Sequence, residues 1–423
     1  MKSFQLGKSV NDVEKIKVNH LKARGQHNIK QHNCKMVLNL IKAHPEMQMS
    51  RAEIAKLTGM SPTSITRIVT LLEQQGFLEE AELFSAGLGR KATRLNVAAN
   101  KFLTLGISLD SDFVKVCILD FKSKIVVEKT HSLDLKVHQA DEIISLAFEL
   151  YQSLCQEGKF DPANVSVIGI SCIGNIDHKN GNALFVPQFR WIDAPLAEIA
   201  KQKFNLPVYI DNDTKMALLG ETKRLKEMRD ADVCYISIGT GVGSAIMYNG
   251  HLVRGINNAA GEVGHTTFEL EGRLCDCGRR GCVQTYLTIN AVVDICKERG
   301  HAVESFSDIM KAWNKKEEWA LKTIEKLTNH IAILISNMAY TYNPQYILVA
   351  GLLIMDYPEL FELSATKVGS LMHENLFKEI RIRKTQYGSS SLLGASLMAQ
   401  DYYIDYILSE DEAFVEAYWK AQT

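Results

Sequence analysis

The chain has 423 residues, 46% of them hydrophobic and 23% charged, an ordinary globular composition that is long enough for two or three domains. No charged-then-apolar leader opens it, and its most apolar stretches, such as Ile331 to Ile335, are far shorter than the roughly 20 residues a bilayer crossing needs, so neither secretion nor membrane insertion is expected. Nine cysteines are too sparse for a disulfide scaffold, and three of them crowd between Cys275 and Cys282, which points to a metal and to a reducing, cytoplasmic compartment. The formal net charge of −1 hides an asymmetry: residues 1 to 100 carry 15 Lys/Arg against 8 Asp/Glu, and the remainder 33 against 41. A basic module on an acidic body suggests that the first part alone meets a polyanion.

Within that basic part, Asn33 to Ala43 places Val37, Leu38 and Ile41 at helical spacing, and His44-Pro45 ends the run. Ser50 is placed to cap a second, short helix that stops at Gly59; Ser61-Pro62 opens a third, with Ile65, Val69 and Leu72 facing inward. Helix, glycine-containing turn, helix is the layout of a helix-turn-helix. The outward positions of the third helix, Ser61, Thr63, Ser64, Thr66, Arg67 and Thr70, are short or cationic groups suited to base edges and phosphates in a major groove. Strand-like sequence begins at Phe77-Leu78, a cationic tip with Arg90 and Lys91 follows, and Ala92 to Val97 returns: a wing.

From Phe102 short apolar strands alternate with helices, at Phe102 to Leu109, Val114 to Leu119, Val165 to Cys172, Val208 to Ile210 and Val233 to Ile238, which predicts an α/β body. Gly239-Thr240-Gly241-Val242-Gly243 follows the last of these as a flexible loop able to present backbone N–H groups to an anion. Asp211-Asn212-Asp213 sits at a strand's C-terminal end, where α/β proteins place ligands. Cys275, Cys277 and Cys282, in a Cys-x-Cys-x4-Cys run preceded by His265, supply three thiolates and an imidazole, the ligand set of a closed tetrahedral zinc site.

The order of these parts resembles the ROK family, named for repressors, open reading frames and kinases acting on sugars. The resemblance rests on the helix-turn-helix and wing, the glycine-rich Ile238 to Gly243, the Asp211 to Asp213 strand end, Gly264-His265-Thr266, the cysteine cluster, and Asn343-Pro344 before the strand Tyr346 to Ala350. It implies a winged helix over residues 1–98 and a two-lobed, actin-like or ribonuclease-H-like sugar-kinase body. One lobe spans 99–211 and 390–423, the other 212–389, with sugar in the cleft between them. It further implies that Asn212, Asp213, Glu262 and His265 contact sugar hydroxyls, that Gln284 stands where the family usually has a sugar-binding Glu, and that Asp213 would be the base of a kinase.

Family kinases carry an Asp and paired glycines in the first strand-turn; here Gly106-Ile107-Ser108-Leu109-Asp110 has Ser108 at the acidic position and Asp110 where glycine is expected. Ser108 cannot hold a magnesium ion as a carboxylate does, and Asp110 places negative charge where phosphates should approach. Ala350-Gly351-Leu352-Leu353 lacks the usual Gly-Gly pair, and Gln188 follows Pro187 where Asn is common. The expectation is a sugar-responsive repressor that has lost phosphoryl transfer and binds operator DNA as a homodimer or dimer of dimers. The alternatives are an active kinase with an appended DNA-binding module and a repressor controlled by a protein partner.

Overall fold

The structure is a computed structural model that describes residues 29–44, 47–81, 93–134, 138–228, 230–385 and 388–409. Arg90 and Lys91 lie outside the described residues.

Helix α1 (29–43) buries Val37, Leu38 and Ile41. Helix α2 (Arg51–Thr58) starts at a capping box in which Ser50 and Glu53 exchange hydrogen bonds, and it stops because Gly59 takes the left-handed conformation that a side chain disfavours. Helix α3 (Pro62–Gln74) is capped by Ser61, has Pro62 in its first turn, and buries Ile65, Ile68, Val69 and Leu72. Arg51 pairs with Glu73 at 3.0 Å and fixes α2 against α3. Strands β1 (Leu78–Ala81) and β2 (Arg94–Val97) then form the antiparallel stem of the wing.

The first large sheet contains β3 (Leu103–Leu109), β4 (Phe113–Leu119), β5 (Ile125–Ser132), β6 (Val165–Cys172) and β10 (Val208–Asn212), in the order β10-β6-β3-β4-β5. Helix α4 (Ala140–Gln156) packs on it. A small antiparallel sheet of β7 (Asn175–Asp177), β8 (Asn182–Val186) and β9 (Trp191–Ala194), followed by α5 (Leu196–Phe204), completes this half. Strand β10 runs on through Asn212, which pairs with Cys172, so the boundary expected at residue 211 falls inside a strand.

Helix α6 (Asp213–Arg224) leads to the second large sheet, of β11 (Val233–Ile238), β12 (Val242–Tyr248), β13 (His251–Leu252), β14 (Tyr346–Ala350) and β15 (Arg381–Lys384), ordered β13-β12-β11-β14-β15. Helices α7 (Gln284–Leu287), α8 (Ile289–Glu298), α9 (Phe306–Asn314), α10 (Glu318–Tyr342), α11 (Leu352–Asp356), α12 (Pro358–Leu371) and α13 (Glu374–Glu379) lie between β13 and β15 in sequence. Together with the sheet, most of them enclose the largest apolar core. The glycine-rich run closes a hairpin instead of forming an open loop: Gly239 N–H donates to Gly241 O at 2.9 Å, and Val242 and Gly243 already belong to β12.

Helix α14 (Ser390–Leu408) returns to the first sheet. A Cβ at Gly394 would meet Met216 O at 1.8 Å, and one at Gly169 would meet Ala395 O at 2.2 Å, so only glycine lets α14 lie this close to α6 and β6. Its far end seats the winged helix. Asp405 accepts from Gln31 at 2.9 Å and pairs with Lys35 at 2.6 Å. Phe102 from the body contacts Phe77 of the winged helix with ring centroids 5.7 Å apart and stacks on Tyr403 of α14 at 5.2 Å. The winged helix and the body thus share one apolar core. No described helix is long and apolar enough to cross a membrane.

Candidate functional site

Three sets of residues carry the chemistry, and the first is the outer face of α3. Ser61, Thr63, Ser64, Thr66, Arg67 and Thr70 are all exposed, opposite the buried Ile65, Ile68, Val69 and Leu72. Ser61 and Ser64 share a hydroxyl contact at 2.9 Å, and Thr66 donates to Pro62 O at 2.9 Å. This face is polar, ordered and open.

The second set gathers where β10 meets α6. Asn212 caps α6 by accepting from the backbone N–H of Thr214 at 3.1 Å and of Lys215 at 3.2 Å. Its amide donates to Gly174 O at 3.0 Å and to Asp213 Oδ1 at 2.9 Å. Both lone pairs and both N–H bonds of the side chain are therefore committed, and Asn212 acts here by fixing Asp213. Burial first, then the charges of Asp110 and Glu262, raise Asp213's pKa from 3.8 to about 7. Asp110 is itself raised, mainly by burial, against the backbone N–H bond it accepts from Ser111. Asp110 and Glu262 thus both bear on Asp213, and the buried Lys215 answers Asp213 and Glu262 as well as Asp211.

Behind this cleft lies a network that sequence reasoning left unassigned. Asp211, fully buried, pairs with Arg254 at 2.6 Å and accepts from Asn258 at 2.9 Å and from the Tyr209 hydroxyl at 3.0 Å. Burial, the largest single influence, would raise Asp211's pKa, but Arg254, His178 and the Asn258 hydrogen bond together outweigh it and hold the group below the usual carboxylate range. Asn258 also donates to Ile176 O at 2.9 Å, which ties the segment after β13 to the small sheet of the other half. Nearby, His178 is kept neutral by burial, its pKa down to about 4. Both His178 ring nitrogens and Asn175 Oδ1 are buried without a hydrogen-bond partner among the described residues. The visible signal for Asp211 was an acid ending an apolar strand; its partner 43 residues away carried none.

The third set is His265, Cys275, Cys277 and Cys282, whose donor atoms all lie within 4.8 Å of one another. His265 Nδ1 is 3.7 Å from Cys275 Sγ, and Cys277 Sγ is 3.6 Å from Cys282 Sγ. A tetrahedral ion with metal–sulfur bonds of about 2.3 Å needs sulfur–sulfur edges of about 3.8 Å, so the cluster has the dimensions of a metal cage. Gly281, at φ 73°, makes the wrap possible, since a Cβ there would meet Glu269 O at 1.5 Å. The N–H of Arg279, acting first, draws the Cys277 thiol down to about 6, which favours the thiolate a metal requires. Gln284, expected at the sugar, opens α7 and donates to Cys275 Sγ at 3.3 Å, so its amide turns toward the cluster.

The sequence matches the ROK family over residues 104–402, which covers both large sheets and the cysteine cluster. The chain belongs to the ROK family. Residues 31–83, the three helices and β1, match the MarR family. Along most of its length this ROK protein is similar to the xylose repressor of Bacillus spizizenii, at 25% identity over 383 residues, 90% of this chain and 97% of that one. Its fold is shared with a ROK family transcriptional regulator described as a homologue of the Escherichia coli MLC protein: TM-score 0.76, 23% identity, covering 92% of this chain and all of that one. The ROK hexokinase of Thermus thermophilus matches with TM-score 0.63 and 19% identity over 72% of this chain and all of the hexokinase, which shows a sugar-kinase fold for the body.

Proposed function

We propose that the chain is a DNA-binding transcriptional repressor of carbohydrate-metabolism genes, controlled by a sugar held at Asp213, Glu262 and His265. The observation that carries this reading is the joining of an exposed recognition face on α3, through α14 and a shared apolar core, to a sugar-kinase-like cleft. Operator contacts fall to Ser61, Thr63, Ser64, Thr66, Arg67 and Thr70, with Arg90 and Lys91 of the wing on the flanking phosphates. The N-terminal half of α3 enters the major groove; Thr66, whose hydroxyl already serves Pro62, offers its methyl to a thymine methyl. A single winged helix seldom gives enough specific affinity, so a homodimer on paired half-sites in the cytoplasm completes the picture.

At the sugar, Asp213 and Glu262 accept hydroxyl hydrogens. Zinc fits the cage of His265, Cys275, Cys277 and Cys282, where it would supply rigidity and no reaction chemistry. With His265 Nδ1 turned to the cage, Nε2 is the nitrogen left for a hydroxyl, and the same loop places Glu262. Gln284 would reach the sugar from the edge of the cage, and Asn212 orients Asp213.

The body has lost phosphoryl transfer. Asp110 adds a carboxylate beside Asp213, in a cleft where a nucleoside triphosphate and its metal would have to approach, and Ser108 offers no charge to hold that metal. One observation favours an active kinase: a carboxylate titrating near 7 is well matched to general-base work. Transfer from radiolabelled ATP to a panel of hexoses and pentoses decides between them, and turnover on any sugar would overturn the repressor-only reading. Titrating the protein–DNA complex with the same panel tests the sensor. If no sugar alters DNA binding, control passes to a protein partner.

A further inference from the structure

A second cleft, of about 680 Å³, opens where the winged helix meets the body, within the size range of small-molecule sites. Its walls come from α1, the β4–β5 turn, the C-terminal end of α6, the β12–β13 hairpin with the residues after it, and α14. Its lining includes six Lys/Arg and three Asp. Two of the cations are already spent, Lys35 on Asp405 and Arg254 on the buried Asp211. Among the described residues no ion pair engages Lys42, Lys122 or Lys223, each contributed by a different element.

Lys42 is the informative one. Its ammonium sits 4.2 Å from the centre of the Phe121 ring and, among the described residues, has the amide oxygen of Gln400, at 3.3 Å, as its hydrogen-bond acceptor. Burial above all, and also the field of Lys223, depress its pKa to about 8 even though Asp401 pulls the other way. Asp401 and Asp120 offset part of this charge, but lysines and arginines outnumber carboxylates on the cleft wall, which favours an anion there. Helix α6 connects this cleft to the sugar cleft, with Asp213 at one end and Lys223 near the other, about 15 Å apart at helical rise.

We propose that this junction cleft is a second effector site, separate from the sugar cleft, that takes a small phosphate-bearing anion between Lys42 of the winged helix and Lys122 and Lys223 of the body. Because its walls belong to both modules, an anion bridging them holds the winged helix in the docked position. The inference stands on the cleft itself and not on the sugar reading, so the two fail separately.

The test titrates the full-length protein with inorganic phosphate and with 3-phosphoglycerate, a phosphate ester that is not a sugar, by calorimetry at ionic strength held constant with chloride. Lys42→Gln, Lys122→Gln and Lys223→Gln are compared with Lys322→Gln on α10, whose exposed lysine pairs with Glu318. The expected result is saturable binding of at least one probe, weakened about tenfold or more by Lys42→Gln and by Lys223→Gln, as for a lost hydrogen bond to a charged group. Lys322→Gln should bind as the parent does. Tighter binding of the ester than of inorganic phosphate assigns the site to a metabolite; the reverse assigns it to free phosphate. Lys223→Gln lies on the exposed end of α6, so it keeps the test valid if Lys42→Gln misfolds. No saturable binding of either probe, or equal binding by Lys223→Gln and Lys322→Gln, overturns the proposal. So does a uniform loss of duplex affinity in Lys122→Gln and Lys223→Gln across unrelated DNA sequences, which would make these cations DNA contacts.

Discussion

Replacing Asp213 with Asn removes a carboxylate whose pKa the fold raises from 3.8 to about 7, chiefly by burial and then by repulsion from Asp110 and Glu262. A carboxyl group with a raised folded-state pKa favours folding fully below pH 3.8, and that contribution is lost as pH rises through about 7. The full shift corresponds to about 4 kcal/mol, of which about 2 kcal/mol falls between pH 5.5 and 8. The amide carries no charge at any of these pH values, and it can keep a hydrogen bond to Asn212. Asp213→Asn should therefore be more stable than the parent at pH 8, and the advantage should shrink by about 2 kcal/mol at pH 5.5. Urea unfolding of both proteins at the two pH values measures the difference directly. A gap that does not change with pH would show that Asp213 is not held in a repulsive carboxylate cluster. The same variant should lose sugar binding, so the site trades stability for function.

Chelation under reducing conditions, or Cys275→Ser, should lower the melting temperature and abolish a stoichiometric zinc content of about one per chain; a preparation that melts identically with and without chelator contradicts a structural metal. Arg254→Ala leaves Asp211 buried and unpaired and should cost about 3–5 kcal/mol in urea unfolding; a cost under about 1 kcal/mol would mean that solvent reaches Asp211. Arg67→Ala should weaken operator binding and flatten its salt dependence if Arg67 meets a phosphate, or relax sequence preference by about 1–3 kcal/mol at one base pair if it meets a base edge. Unchanged binding on both counts removes Arg67 from the interface.

Local signals in the sequence reached far into this fold. Ser50 with Glu53, Gly59 and Ser61-Pro62 mark helix ends because capping is settled by a few neighbouring residues, and the structure places α2 and α3 accordingly. Val165–Cys172, Val233–Ile238 and Tyr346–Ala350 are strands to the residue, since central strands buried on both faces read as unbroken apolar runs. The cysteine cluster was legible from spacing alone. Other features depend on partners distant in sequence. Asp211 meets Arg254, Lys35 meets Asp405 370 positions on, and α6 is buried from Thr214 to Thr222 because two sheets and α14 enclose it. The Gly239 to Gly243 run illustrates the limit: its glycines announce a sharp reversal, yet only pairing with β11 shows that Val242 and Gly243 are already strand. Asn212 belonged to the candidate site by position, and only its four hydrogen bonds reveal that its side chain is committed to α6, Gly174 and Asp213.

The central claim is that a sugar at Asp213 governs the affinity of α3 for DNA, and the direct measurement is fluorescence anisotropy of a duplex selected for binding, titrated with protein in the presence of each of a panel of monosaccharides. The account predicts that one sugar shifts the dissociation constant by about 5–150-fold, as coupling of 1–3 kcal/mol requires, and that Asp213→Asn binds the duplex but no longer responds. If the parent responds to a sugar and Asp213→Asn responds equally, the effector site lies elsewhere and the account fails.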